Sequence, residues 1–328
     1  MAHSSGTKAV VAAMSANLAI AVMKLVAFLL TRASSMLAEA IHSFADCANQ
    51  VLLLLGGRSA QKQATPLHPF GYGRARYLSA FLVSIILFSM GGLFALYEAY
   101  HKLEEVRAGH PNELLNSSWW WVPLAVLGGA IIAESLSLRT AVIESRPHKG
   151  STSWARFIKS SKSPELPVIL LEDIAALLGL VFALIGVGMT IITKWAGWDV
   201  IGTVAIGILL ICVAVVLAAE TRSLLIGEAA SDEEIEKITT AMTGTAGIQS
   251  IIHMKTIHLG PEEVLVAAKV EVDADATAKE VAEILNSAEA AVRQSSAVVG
   301  PMYLEPDLRR DEGDTSVSEE VSTTSDEH

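Results

Sequence analysis

Six stretches of this chain are apolar over about 20 residues each, the length a helix needs to cross roughly 30 Å of hydrocarbon. They run approximately from Lys8 to Thr31, Ser34 to Leu55, Tyr77 to Leu103, Trp119 to Leu138, Leu166 to Ile192 and Val200 to Ala219. Within them, Leu18 to Leu30 and Ile174 to Ile192 are apolar on every helical face, whereas the helices of a large soluble core would be amphipathic. The pattern predicts an α-helical membrane protein with six transmembrane helices over residues 1–225. The first stretch is too long for a signal peptide and lacks a basic leader, so it is expected to remain as a span.

Six spans place both termini on one side, and basic residues choose the side, because connections rich in them stay cytoplasmic. The connections after spans two and four hold Arg58, Lys62, Arg74, Arg76, Arg139, Arg146, Lys149, Arg156, Lys159 and Lys162, against only Arg32, Lys102, Arg107 and Lys194 on the opposite side. Both termini are therefore expected in the cytoplasm.

After Ala219 the pattern turns amphipathic. Ser231 and Glu234 have capping-box spacing at the start of a helix that reaches about Met242. Ile251 to His258 and Val264 to Val272 read as strands around a Leu259-Gly260-Pro261 turn, Thr277 to Gln294 as a helix, and Met302 to Leu304 as a last strand. Helix, strand, strand, helix, strand suits a small α+β, ferredoxin-like cytosolic domain over 226–307, too short to bury a generous core alone and so expected to dimerise. Residues 308–328 are acidic, rich in Ser and Thr and poor in apolar side chains, the composition of a disordered tail.

The net charge of −11 excludes nucleic acid as a natural partner. Cys47 and Cys212 both fall within spans, so they suit neither an extracellular disulfide nor a zinc knuckle, and read as small core residues.

Candidate chemistry lies in spans two and five. Glu39, His42, Ser43, Asp46, Asn49 and Gln50 recur at intervals of three and four residues and form one polar stripe, which must face protein or water rather than lipid. A His and an Asp four apart project together about 6 Å from each other, close enough to share an ion but unable to complete its coordination. Span five, whose cytoplasmic end is marked by Pro164 and Pro167, offers Glu172 and Asp173. A neutral imidazole with two carboxylates balances a divalent cation and forms a zinc-type donor set. Protons would neutralise the same groups in the absence of metal, which is the physical basis of metal–proton exchange. Lys24 and Glu39 lie at similar depth and can pair, whereas His42, Asp46 and Asp173 have no basic partner at their level. Ser43, Asn49 and Gln50 read more simply as interhelical hydrogen-bonding groups.

His42-Ser-Phe-Ala-Asp46, the loop His68-Pro-Phe-Gly-Tyr-Gly-Arg74, six spans and a small α+β domain together resemble the cation diffusion facilitator family over about residues 8–307. The resemblance implies export of zinc or a related divalent ion from the cytosol in exchange for protons, a homodimer, and metal ligands His42, Asp46 and Asp173, each spanning helix giving a pair of residues four apart. Span five departs from that pattern: the partner position of Asp173 falls on Ile169, and Glu172 stands about 100° round the helix from Asp173. Leu-Leu-Glu172-Asp173 followed by Ala-Ala-Leu-Leu-Gly resembles a branch that includes a mitochondrial zinc transporter of animals. With Glu172 as a fourth ligand or a water in its place, the site would also suit Mn, Fe, Co or Cd. No cofactor is implied beyond the transported ion. Regulatory metal in the small domain is not expected, because Ala267, Ala268 and Lys269 occupy the second strand where ligands would stand, and His253 and His258, five apart, face opposite ways.

A carrier of organic cations would want aromatic or acidic groups lining a roomy cavity, whereas the aromatic Trp119, Trp120 and Trp121 cluster like an interfacial belt. An intramembrane enzyme would want a nucleophile with its base or an HExxH pair, and neither is present. Without an obvious organelle-targeting leader, a prokaryotic inner membrane, with its lipid as surroundings, is the simplest expected location.

Overall fold

The computed structural model describes residues 3–109, 113–116 and 118–309, with the backbone alone for 3–16, 113 and 116. The acidic segment expected to be disordered lies almost wholly outside the described residues. The chain forms two compact units, one of residues up to 226 without the loop 65–70, the other of that loop and the residues from 227 onward.

The first unit is all helical. It comprises α1 (His3–Thr31), α2 (Ser34–Ala60), α3 (Ala75–Ile86), a π-helical stretch (Leu87–Leu93) that continues into α4 (Phe94–Arg107), a single turn α5 (Glu113–Asn116), α6 (Val122–Lys149), a short α7 (Trp154–Ser160), α8 (Glu165–Thr193) and α9 (Gly197–Ile226). Among the described residues four helices are long and apolar enough to cross a membrane: Ala75–Arg107, Val122–Lys149, Glu165–Thr193 and Gly197–Ile226. In α1 the described apolar part runs from Asn17 to Thr31, and in α2 the polar stripe dilutes the hydropathy. α6 begins and ends later than the sequence pattern suggests, with Trp119–Trp121 forming a turn before it and the basic Arg146, His148 and Lys149 in its last turn. Cys47 is half-buried, but Cys212 is exposed on the outer surface of α9 and is not a core residue as expected.

Small residues set the helix spacing. A Cβ on Gly202 would stand 2.9 Å from Phe182 O, and one on Gly186 2.9 Å from Trp198 O, so α8 and α9 approach backbone to backbone. Gly92, in the π-helical stretch, similarly meets Gly207 O of α9 at 3.2 Å from where its Cβ would be.

The second unit contains α10 (Asp232–Thr243), β1 (Ser250–Gly260), β2 (Glu263–Glu271), α11 (Ala278–Ser295) and β3 (Val299–Asp307). β2 lies between β1, antiparallel, and β3, parallel, and α11 supplies the crossover that a parallel pair requires. β2 alternates strictly, turning Val264, Val266, Ala268 and Val270 onto Ile238 and Met242 of α10 and Ala288 and Val292 of α11. β3 is longer than the sequence suggests; Pro301 and Pro306 are tolerated because it is an edge strand. Thr277 and Glu280 form a reciprocal capping box at α11, and the Thr277 backbone N–H holds the Glu280 carboxyl below its ordinary pKa. At α10 the Ser231 hydroxyl accepts from Glu234 N, but the Glu234 carboxylate turns to Lys237 and Ser296 instead of closing a box.

Candidate metal site in the helical unit

The start of α2 is fixed from another helix. Asp199, near the start of α9, accepts at Oδ2 from Ser34 N (2.7 Å) and Ser34 Oγ (2.9 Å), and at Oδ1 from Ser35 N (3.3 Å) and Ser35 Oγ. Thr190 Oγ1 of α8 accepts from Asp199 N at 3.1 Å. A carboxylate thus caps the unsatisfied amides of α2 in trans. Sequence reading missed Asp199; its signal was an acidic residue at the mouth of an apolar span.

From this fixed start the polar stripe runs into the interior. Lys24 of α1 donates to Glu39 Oε2 at 3.0 Å and to Ser43 Oγ at 2.7 Å, forming the pair that similar membrane depth suggests. One turn on, His42 Nδ1 stands 3.6 Å from Asp46 Oδ1. The His42 ring is 1 % exposed, and among the described residues neither ring nitrogen has a hydrogen-bond partner; Asp46 Oδ1 is likewise buried without one. Buried polar groups are nearly always satisfied, so an orphaned imidazole beside an orphaned carboxylate oxygen calls for a ligand. That is the strongest chemical signal in the molecule.

α8 packs against α2 and presents its two acidic residues in different directions. Asn49 Nδ2 of α2 donates to Glu172 Oε1, which ties Glu172 to the stripe. Asp173 instead accepts from Ser137 Oγ of α6 at 3.0 Å. The 100° between consecutive helical residues accounts for this division. Asp46, Glu172 and Asp173 are electrostatic neighbours, but among the described residues no three His, Cys, Asp or Glu side chains converge as a preformed metal cluster. The structure therefore brings His42 directly to Asp46 and leaves Glu172 and Asp173 at hand on the facing helix. Ile169 is an apolar side chain with 36 % exposure and offers no donor.

Glu134 of α6 also escaped sequence reading. Its electrostatic neighbours begin with Asp46 and include Asp173. An ionisable residue within an apolar span was the available signal.

In the second unit, His253 is exposed and registers opposite Lys269, whereas His258 is buried with Nδ1 3.1 Å from Gly260 O. The two histidines form no joint site.

Comparisons with known proteins follow the same division of the chain. The cation efflux transmembrane domain matches residues 10–226, and the cation efflux protein cytoplasmic domain matches residues 230–299. A mitochondrial proton-coupled zinc antiporter, SLC30A9, of Mus musculus is 31 % identical over 253 residues, covering 76 % of this chain and 43 % of that protein. Metal tolerance protein C4 of Arabidopsis thaliana is 27 % identical over 227 residues, covering 69 % of this chain and 48 % of its own length. Magnetosome protein MamB of Magnetospira sp. is 22 % identical over 248 residues, covering 75 % and 76 %. The chain spans less than half the length of the first two.

Proposed function

The chain belongs to the cation efflux family, whose members are transporters rather than enzymes and which makes the helical unit a multi-pass membrane domain; from that premise we propose that it moves a divalent transition-metal cation, zinc foremost, across a membrane in exchange for protons. The observation that carries this reading is the buried His42–Asp46 pair, with both ring nitrogens unpartnered among the described residues. His42, Asp46 and Asp173 bind the ion, and Glu172, tied to Asn49, orients the α8 side of the site or contributes a further oxygen.

A divalent ion neutralises the two aspartates, and protons neutralise them when it leaves. Either state avoids bare carboxylates at membrane depth, where each costs about 2.5–3.5 kcal/mol on insertion scales. Binding of metal and of protons is therefore mutually exclusive, and alternating exposure of the site to the two sides couples their movements. The relative from Mus musculus is named a proton-coupled zinc antiporter, which supports zinc and proton exchange here. A second reading, transport of Mn, Fe, Co or Cd, is favoured by the donor set itself, one imidazole among carboxylates.

The small domain pairs two copies of the chain, in keeping with its limited core. Six spans with both termini in the cytoplasm agree with the basic connections after α2 and α6. The relatives come by name from mitochondria and magnetosomes, so a prokaryotic inner membrane gains no support over other membranes.

The test is uptake into proteoliposomes that contain the purified chain. An imposed pH gradient should drive zinc accumulation, and zinc should dissipate that gradient. Equal uptake with and without the gradient would favour a passive pathway instead.

A further inference from the structure

The site built on α2 and α8 is one donor short. His42, Asp46 and Asp173 make three, a tetrahedral zinc site held wholly by protein takes four, and Glu172 is engaged by Asn49. A third helix stands at the same level. Ser137 Oγ of α6 donates to Asp173 Oδ2 at 3.0 Å, which fixes the face of α6 that meets α8 there. Glu134 lies three residues before Ser137 and so projects from that same face, one turn away.

We propose that Glu134 is the fourth protein ligand of the transported cation, delivered by α6. The inference rests on the metal-transport reading of His42 and Asp46. Among the described residues no hydrogen bond or ion pair engages the Glu134 carboxylate, although it is half-buried and Ile132, two residues before it, is 66 % exposed. A carboxylate on such a helix is expensive unless it faces a polar interior. The groups that surround it electrostatically are Asp46, Lys24, Asp173 and Glu39, and Lys24 is already committed to Glu39 and Ser43. What remains of that set is the aspartate pair; His42, whose ring nitrogens have no hydrogen-bond partner among the described residues, stands with Nδ1 3.6 Å from Asp46 Oδ1. An ion bound there collects one nitrogen and three carboxylates from three helices. This set also accommodates ions that prefer oxygen, so Glu134 becomes a determinant of selectivity.

The experiment uses the full-length chain in detergent for Zn and Mn binding by calorimetry, and in proteoliposomes for flux, with Glu134→Gln, Glu134→Asp and Asp46→Ala compared with the parent. Glu134→Gln should weaken binding of both ions at least about tenfold, the lower end of what metal-site substitutions cost, with Mn losing more than Zn. Glu134→Asp should restore part of it. If Glu134→Gln binds and transports both ions within twofold of the parent while Asp46→Ala does neither, Glu134 is no ligand and the transport reading stands. If Asp46→Ala also behaves as the parent, the transport reading falls and this proposal with it. Should the amide variant fail to fold, Glu134→Asp decides: a changed Zn to Mn affinity ratio supports the assignment and an unchanged ratio overturns it.

Discussion

The Lys24 ammonium lies 3.0 Å from Glu39 Oε2, and neither side chain has any exposed surface. The pair joins α1 to α2 one turn from His42. It also reaches α8, because a Cβ on Gly179 would come within 2.6 Å of Glu39 Oε1. Breaking a buried pair leaves an uncompensated charge and costs about 3–5 kcal/mol, whereas replacing both partners is far milder. Lys24→Met alone should lower the thermal unfolding midpoint strongly, and Lys24→Met with Glu39→Met should recover most of the loss. Equal losses in the single and double variants would show that the two charges are not coupled.

Asp199 should matter for the placement of α2 more than for the ion. Asp199→Ala removes the acceptor of two amides and two hydroxyls, so a stability loss of roughly 2–3 kcal/mol or more is expected. Ser35→Ala should cost less, since its amide keeps the carboxylate. Thermal melting in micelles would rank them, and a neutral Asp199→Ala would remove the cap from the picture.

Glu172 is held by Asn49, so Glu172→Gln and Asn49→Leu should act through the same contact. Each should weaken metal binding by about ten- to a hundredfold, the range for groups that orient a ligand. Calorimetric titration with Zn, Mn and Co would check this. Unchanged affinity and selectivity in both variants would assign the contact to helix packing alone.

Much of this was legible in the chain and some was not. Four of the six expected spans, the αββα-β order of the small domain and the Lys24–Glu39 pair follow from apolar runs, period and depth. His42 and Asp46 stand out because two ionisable groups four apart in an apolar helix have no cheap alternative to a partner. Glu134 and Asp199 escaped because each is a single acidic residue whose meaning depends on which helix it meets, and helix adjacency is not written in any one span. The π-helical stretch Leu87–Leu93 is hidden too: its Gly92 meets Gly207 of α9, a contact over a hundred residues away that no local pattern records. Cys212 shows the converse, since apolar surroundings in sequence do not distinguish a helix face turned to the core from one turned to lipid.

In the proposed exchange metal and protons compete for the same carboxylates and imidazole, so metal binding should release protons and affinity should fall as the pH is lowered. Calorimetry in buffers of different ionisation enthalpy counts the released protons. A count near zero would argue for a channel or a passive carrier.

The most direct test compares zinc flux through the parent chain and Asp46→Ala in matched proteoliposomes, with membrane insertion and monodispersity verified for both. Among the described residues Asp46 Oδ1 is buried without a hydrogen-bond partner beside His42, so its loss removes the proposed ligand without stranding a charge. Flux should fall to the level of empty vesicles while the protein stays folded. Parent-level flux through a folded Asp46→Ala chain would contradict the assignment of the His42–Asp46 pair as the transport site.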